Sequence, residues 1–166
     1  MIDGTPTLLV LPLLRTDLIG LAQCMALDAD VFPYASMPLG LQAGVRAWIA
    51  RADLARGASA SERDDSKRVV GFIAASARAL SFYVHGLAVA PSDRRRGAGR
   101  RLLRACVSGA RAERLKRLVL HVATANHAAV ALYESEGFGV RRQVSDFYRP
   151  GIYPQRSAYE MTLSLE

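Results

Sequence analysis

The sequence is short of several things that would direct a reading elsewhere. It has only two cysteines, Cys24 and Cys106, both inside helix-like stretches, so no disulfide framework is available and a reduced, cytoplasmic protein is the expectation. Its three histidines are scattered, and with two distant cysteines they give no zinc spacing, so no metal is expected. No apolar run approaches the ~20 residues of a membrane helix. Met1 to Leu14 is apolar but holds Asp3 and no basic start, so no signal peptide is expected. Lysine is nearly absent: 20 of the 22 basic residues are arginine.

What remains is 166 residues, 51% hydrophobic and 22% charged, which excludes a disordered chain and fits one domain spanning 1–166. The net charge of +7 is carried by the side chain best suited to bidentate phosphate contacts. An anionic partner follows. Composition leaves nucleic acid, a phosphorylated cofactor and an acidic surface all open.

Patterning predicts a strand over Thr7–Leu13 and a helix from Leu18 capped by Thr16 or Asp17. It predicts a second helix over Leu41–Leu54 and a polar loop or turn over Gly57–Lys67. Val69–Ala77 and Phe82–Val89 read as an antiparallel hairpin with about four residues between, the second strand ended by Pro91. An amphipathic helix over Gly97–Arg114, a buried strand over Leu118–Val122 and a helix over Ala128–Glu136 closed by Gly137 follow. Val140–Phe147 and Tyr159–Leu165 complete an α/β (α+β) domain with one sheet covered by helices.

The chemistry concentrates in Leu87–Leu103, LAVAPSDRRRGAGRRLL. A strand runs into Pro91, then a basic turn with Gly97 and Gly99, then a helix. Glycine lets the backbone approach a ligand, and the first helical N–H groups lack intrahelical partners. With the helix dipole they form an anion site suited to a pyrophosphate, with Arg94, Arg95, Arg96 and Arg100 around it. The turn is neither GxxxxGK[ST] nor GxGxxG. The competing reading is an ordinary helix start with a solvated arginine face.

The segment resembles the acetyl-CoA loop of the GNAT superfamily of acyl-CoA-dependent N-acyltransferases. Arg94-Arg95-Arg96-Gly97-Ala98-Gly99 follows Ala88-Val89-Ala90-Pro91 as in that family's motif. A second family motif follows in Asn126, Ala129, Leu132-Tyr133-Glu134 and Gly137-Phe138. The resemblance runs from about Val69 to the C-terminus. It implies a mostly antiparallel sheet of six to seven strands with about four helices, and parallel central strands that splay to admit pantetheine. It implies acetyl-CoA as cosubstrate, bound by backbone groups at Leu87, Ala88 and Val89, by the amides from Arg95 to Arg100, and by Asn126, with Tyr133 near the thioester sulfur.

Within the superfamily, Leu120-His121-Val122-Ala123-Thr124-Ala125-Asn126 is similar to the strand of the eukaryotic NatE and NatF N-terminal acetyltransferases. Their matching histidine is a general base paired with a tyrosine that Tyr83 matches. The bacterial ribosomal-protein alanine acetyltransferases usually have glutamate where His121 stands. The tail Asp146-Phe147-Tyr148-Arg149-Pro150-Gly151 resembles both groups, which implies acceptor contacts at Tyr148 and, through the loop dipeptide Phe32-Pro33, at Phe32, Pro33 and Tyr34. Histidine suits the removal of an amine proton near neutral pH, and Tyr133 suits a leaving thiolate. The base stays open between His121 alone, His121 with Tyr83 through a water, and neither.

The reading is an N-acetyltransferase acting on a primary amine, with a protein N-terminus preferred over a small amine, an amino acid or an amino-sugar drug. A nucleic-acid module is disfavoured by the lack of interleaved aromatics, helix-turn-helix or finger motifs. A CoA-binding sensor is the third class. A monomer or homodimer is expected.

Overall fold

A computed structural model describes residues 8–14, 16–31, 44–52, 68–151 and 156–166. Its elements are β1 (Leu8–Pro12), α1 (Leu18–Val31), β2 (Val45–Ala52), β3 (Arg68–Arg78), β4 (Ser81–Val89), a 3₁₀ turn (Pro91–Asp93), α2 (Ala98–Ala112), β5 (Arg117–Ala123), α3 (His127–Ser135), β6 (Gly139–Val144) and β7 (Ala158–Ser164). One seven-stranded sheet runs in the order β1-β2-β3-β4-β5-β7-β6. All neighbours are antiparallel except β4 and β5.

Local chemistry accounts for the helix ends. Asp17 Oδ1 accepts from the Gly20 amide at 2.7 Å and caps α1. Asn126 Oδ1 accepts from the Ala129 amide at 3.2 Å and caps α3. Gly137, at φ +89°, closes α3 with bonds from its own amide to Glu134 and from the Phe138 amide to Tyr133. The β3–β4 turn is only two residues, Ala79 and Leu80, where the sequence suggested about four.

One expected element is different in kind. The stretch Leu41–Leu54 carries a strand over Val45–Ala52, not a helix, so three α-helices flank the sheet among the described residues. The strand lies between β1 and β3 and is buried on both faces. Ala47 and Ile49 join one core cluster while Ala50 and Ala52 join the other. A bulge between Ala50 and Arg51 then interrupts the alternation. The resulting near-continuous apolar run has no period-2 signal, which is why it mimics a helix.

Helices cover the two sheet faces unequally. On one face α2 packs Leu102, Leu103 and Cys106 against Ile73, Phe82, Val84, Leu118, Leu120 and Val122. On the other, α1 packs Leu21, Cys24 and Leu27 against Ile49, Phe72, Ala74 and Ala88. Core burial of this extent is the main stabilising contribution, about 1.5–3 kcal/mol for each large apolar side chain. The β4–β5–β7 part of the α1 face carries polar side chains instead, among them the candidate residues Tyr83 and His121.

Candidate active site

Among the described residues, the only parallel pair, β4 with β5, is also the shortest ladder in the sheet. Pairing of β4 with β5 runs from Ser81–Arg117 to Val84–Leu120 and stops. At that point β4 has a bulge: Ala75 pairs with Val84 and Ala74 with Gly86, leaving His85 as the extra residue. A bulge bends its strand and raises the local twist. Beyond it β4 stays bonded to β3 while its other edge leaves β5. The Ala90 amide bonds Val70 O at 2.8 Å, so by alternation the peptide groups of Ala88 face β3 and those of Leu87 and Val89 face the gap. Val89 O accepts from Arg94 Nε at 3.2 Å, which leaves the Leu87 peptide groups and the Val89 amide along that edge.

The gap leads to the start of α2. Gly97 sits at φ +83° as its N-cap, with no side chain capping the helix, and a Cβ built there meets nothing within 4 Å. Among the described residues, no backbone bond is donated by the amides of Arg95 to Arg100; the first helical bond runs from Arg101 N to Gly97 O at 3.0 Å. Six amides at the positive helix end are therefore without a backbone acceptor, which suits a pyrophosphate. The arginine side chains contribute less than the sequence implied. Arg100 pairs with Glu136 at 2.9 Å, Arg96 with Asp93 at 3.5 Å, and Arg94 is on Val89, which leaves Arg95. Ala98 is buried in the core beneath the loop, and Gly99 lies against Leu132, Leu87 and Val89, so α2 reaches the gap only because this position has no side chain.

On the α1 face, alternation places Tyr83 and His121 side by side, opposite in direction to Val84 and Leu120. Tyr83 Oη lies 3.1 Å from His121 Nδ1. The Arg78 guanidinium covers the Tyr83 ring at 4.7 Å, and Phe147 stacks on the His121 ring at 4.3 Å and 7°. Burial is the main cause that pushes the His121 imidazole below its ordinary range; Arg142 acts the same way and Glu160 opposes it. Burial pushes the Tyr83 hydroxyl up, so it is a neutral O–H donor at neutral pH. His85 is engaged elsewhere, its Nε2 2.8 Å from Ser76 Oγ.

The other anticipated residues fall as follows. Tyr133 is buried in the core cluster beneath α3, its ring tilted against Phe138 at 5.7 Å. Asn126 spends its Oδ1 on the α3 cap. Tyr148 is half-buried beside Phe147, and its amide bonds Arg156 O at 3.0 Å. Phe32, Pro33 and Tyr34 lie outside the described residues, as does Gly57–Lys67. Both cysteines are buried, and burial pushes both thiols up to about 12, so neither is a nucleophile at neutral pH.

Sequence reasoning did not find Glu160. It lies directly across from His121 on β7, buried, with its Oε2 3.6 Å from His121 Nε2. The available signal was an acid within the apolar run Ala158-Tyr159-Glu160-Met161, on the face opposite to Met161. Phe147 was visible only as part of a tail motif.

Residues 21–138 match the model of the acetyltransferase (GNAT) family, and the chain belongs to that family. No curated protein matches it by sequence. Among solved structures it is similar to the ribosomal-protein-S18-alanine N-acetyltransferase from Escherichia coli, at 19% identity and TM-score 0.74 over 96% of this chain and 95% of that one. It is similar to Arabidopsis thaliana NAA60 in complex with a bisubstrate analogue, at 20% identity and TM-score 0.77 over 96% and 100%. A nourseothricin acetyltransferase matches at 22% identity and TM-score 0.60 over 80% and 71%. Among the described residues, no helix is long and apolar enough to cross a membrane.

Proposed function

We propose that this acetyltransferase moves an acetyl group from acetyl-CoA to the α-amine of a protein or peptide N-terminus, with Tyr83 and His121 removing the amine proton. The 3.1 Å contact between Tyr83 Oη and His121 Nδ1, on the face beside the β4–β5 gap, carries this reading. Acetyl-CoA, when bound, supplies an acetyl group activated as a thioester. The residues fit it: the six amides of Arg95–Arg100, which donate no backbone bond, suit its pyrophosphate, the Leu87 and Val89 peptide edge suits its amides, and Asn126 is at the start of α3 as its N-cap.

The amine must lose a proton before its lone pair can attack. Tyr83 Oη accepts that proton as it gives its own to His121 Nδ1. Tyr133 Oη would hold the proton for the departing sulfur. The match in length and TM-score to a protein named ribosomal-protein-S18-alanine N-acetyltransferase supports the same acceptor class.

Turnover of acetyl-CoA on three kinds of acceptor tests the reading: lysine-free peptides with a free N-terminus, N-blocked peptides containing lysine, and small amines. Turnover on the first group is expected to dominate. Activity confined to small amines would assign the acceptor to that class.

Tyr133→Phe is expected to lower kcat more than it raises the KM for acetyl-CoA, because its hydroxyl matters as negative charge develops on sulfur. Steady-state kinetics read this directly. A loss confined to KM would reduce Tyr133 to a packing contact.

A further inference from the structure

We propose that Glu160 is a positioning residue for His121: its carboxylate selects the imidazole tautomer that accepts from Tyr83 and stabilises the ring once it is protonated. This rests on the reading of His121 as the base. His121 and Glu160 are register partners on β5 and β7 and so share a face. Glu160 is 6% exposed in its side chain and His121 13%. The ring thus lies between two groups, with Tyr83 Oη at Nδ1 and Glu160 Oε2 at Nε2.

The carboxylate is held ionised and in place. Arg142 donates to Oε2 through Nη2 at 2.8 Å and Nε at 3.0 Å, and Arg141 donates to Oε1 through Nη1 at 3.2 Å. Two consecutive side chains reach one carboxylate because β6 is bulged between Val140 and Arg142. Hydrogen bonds from Arg142 outweigh the burial that opposes them and hold the Glu160 carboxyl below its usual range. Stability alone does not call for this arrangement. Both arginines are more than 60% exposed, where ion pairs contribute little, while burying a carboxylate is costly.

The tautomer follows from charge. With hydrogen on Nε2, an N–H dipole faces the carboxylate and Nδ1 is free to accept from Tyr83. With hydrogen on Nδ1, the Nε2 lone pair would face a negative oxygen. At 3.6 Å the contact is too long for a hydrogen bond in the neutral ring. It becomes an ion pair when the ring is charged, so it favours the state that follows proton removal over the resting one. In that step the amine N–H bond breaks and the amine keeps the electron pair. A new Oη–H bond forms on Tyr83 as its old one breaks and an Nδ1–H bond forms on His121.

The charged and titratable groups around His121 come from four strands. Arg78 on β3 covers Tyr83, Tyr83 and His85 lie on β4, Arg141 and Arg142 reach over from β6, and Glu160 lies on β7. Phe147 covers the ring without charge. Of these, Glu160 raises the His121 ionisation and Arg142 lowers it, against a larger lowering by burial. Removing either charge must therefore shift it in opposite directions.

The test is an imidazole NMR titration of His121 in the full chain, paired with the pH profile of kcat/KM. Wild-type His121 is expected to carry its proton on Nε2. In Glu160→Gln, which keeps the shape and removes the charge, His121 should ionise at lower pH and gain the Nδ1–H tautomer. The acidic limb of kcat/KM should move down with it, with kcat falling ~10–100-fold and KM little changed. Arg142→Met should move both ionisations up, and Glu160→Asp should recover most of the activity. An unmoved His121 titration in Glu160→Gln, or equal losses in Glu160→Gln and Glu160→Asp, would reduce Glu160 to an anchor for the arginines and overturn the proposal. A titration that moves while the kcat/KM limb stays fixed would overturn His121 as the base, leaving its coupling to Glu160 intact.

Discussion

His121→Ala is expected to lower kcat/KM by ~10²–10⁴-fold, the range set by loss of a general base. The pH profile should change with it. The wild-type rate rises as His121 loses its proton, and burial lowers that ionisation, so the first limb should fall below ~6.5. A peptide α-amine adds a second ionisation near ~8, which shifts with acceptor basicity while the first does not. In His121→Ala the lower limb should vanish and the acceptor's should remain. Thermal unfolding of the variant separates a lost base from a lost fold, since Glu160 keeps both arginine partners when the ring is gone. Near-normal activity with an unchanged profile would leave Tyr83, or the bulk deprotonated amine, as the working model.

Gly97→Glu is expected to remove acetyl-CoA binding, by at least ~100-fold, while the fold survives. The site is open: a Cβ there meets nothing within 4 Å, so the side chain has room. The left-handed backbone, φ +83°, costs a non-glycine residue about 1–2 kcal/mol, which a whole domain tolerates. Charge decides the binding result. Like charges ~4 Å apart near a protein surface repel by about 4 kcal/mol, and the new carboxylate would sit where the amides favour an anion. Gly97→Ala carries the same strain without the charge and should bind far better than Gly97→Glu. Gly99 is the poorer choice, since a Cβ there already meets Leu132 at 3.3 Å and any binding loss would be confounded with repacking. Thermal shift reads the outcome, because a ligand at 100 times its Kd adds ~2.7 kcal/mol. A full shift in Gly97→Glu would exclude this loop as the pyrophosphate site.

These two tests fall on the most legible part of the chain. The Leu87–Leu103 segment combines strand, proline, glycine and helix signals that are local in sequence, and the structure keeps each where the residues put it. The Tyr83–His121 contact was legible for another reason: the family resemblance pairs the histidine of this strand with a tyrosine that Tyr83 matches, and the two side chains meet at 3.1 Å. Failures came where the determinants are not local. The Val45–Ala52 strand is decided by its neighbours β1 and β3, and its own residues lack alternation because both faces are buried. The arginines of Arg94–Arg100 look like a phosphate clamp in sequence, yet Glu136, a distant acid at the C-cap of α3, takes Arg100, while the neighbouring Asp93 takes Arg96. Glu160 reaches His121 only through the β5–β7 register, which pairs residues 39 positions apart in the chain. Composition and spacing carry no trace of that pairing.

The central claim is that acetyl-CoA enters the β4–β5 gap and presents its acetyl group on the face that holds Tyr83 and His121. A crystal structure of the chain with CoA tests it most directly. The expected structure has the pyrophosphate on the amides of Arg95–Arg100, the pantetheine amides on the Leu87 and Val89 peptide edge, and the sulfur in the gap within reach of the Tyr83–His121 pair. CoA bound away from the gap, or with its sulfur on the far side of the sheet from Tyr83 and His121, would contradict it.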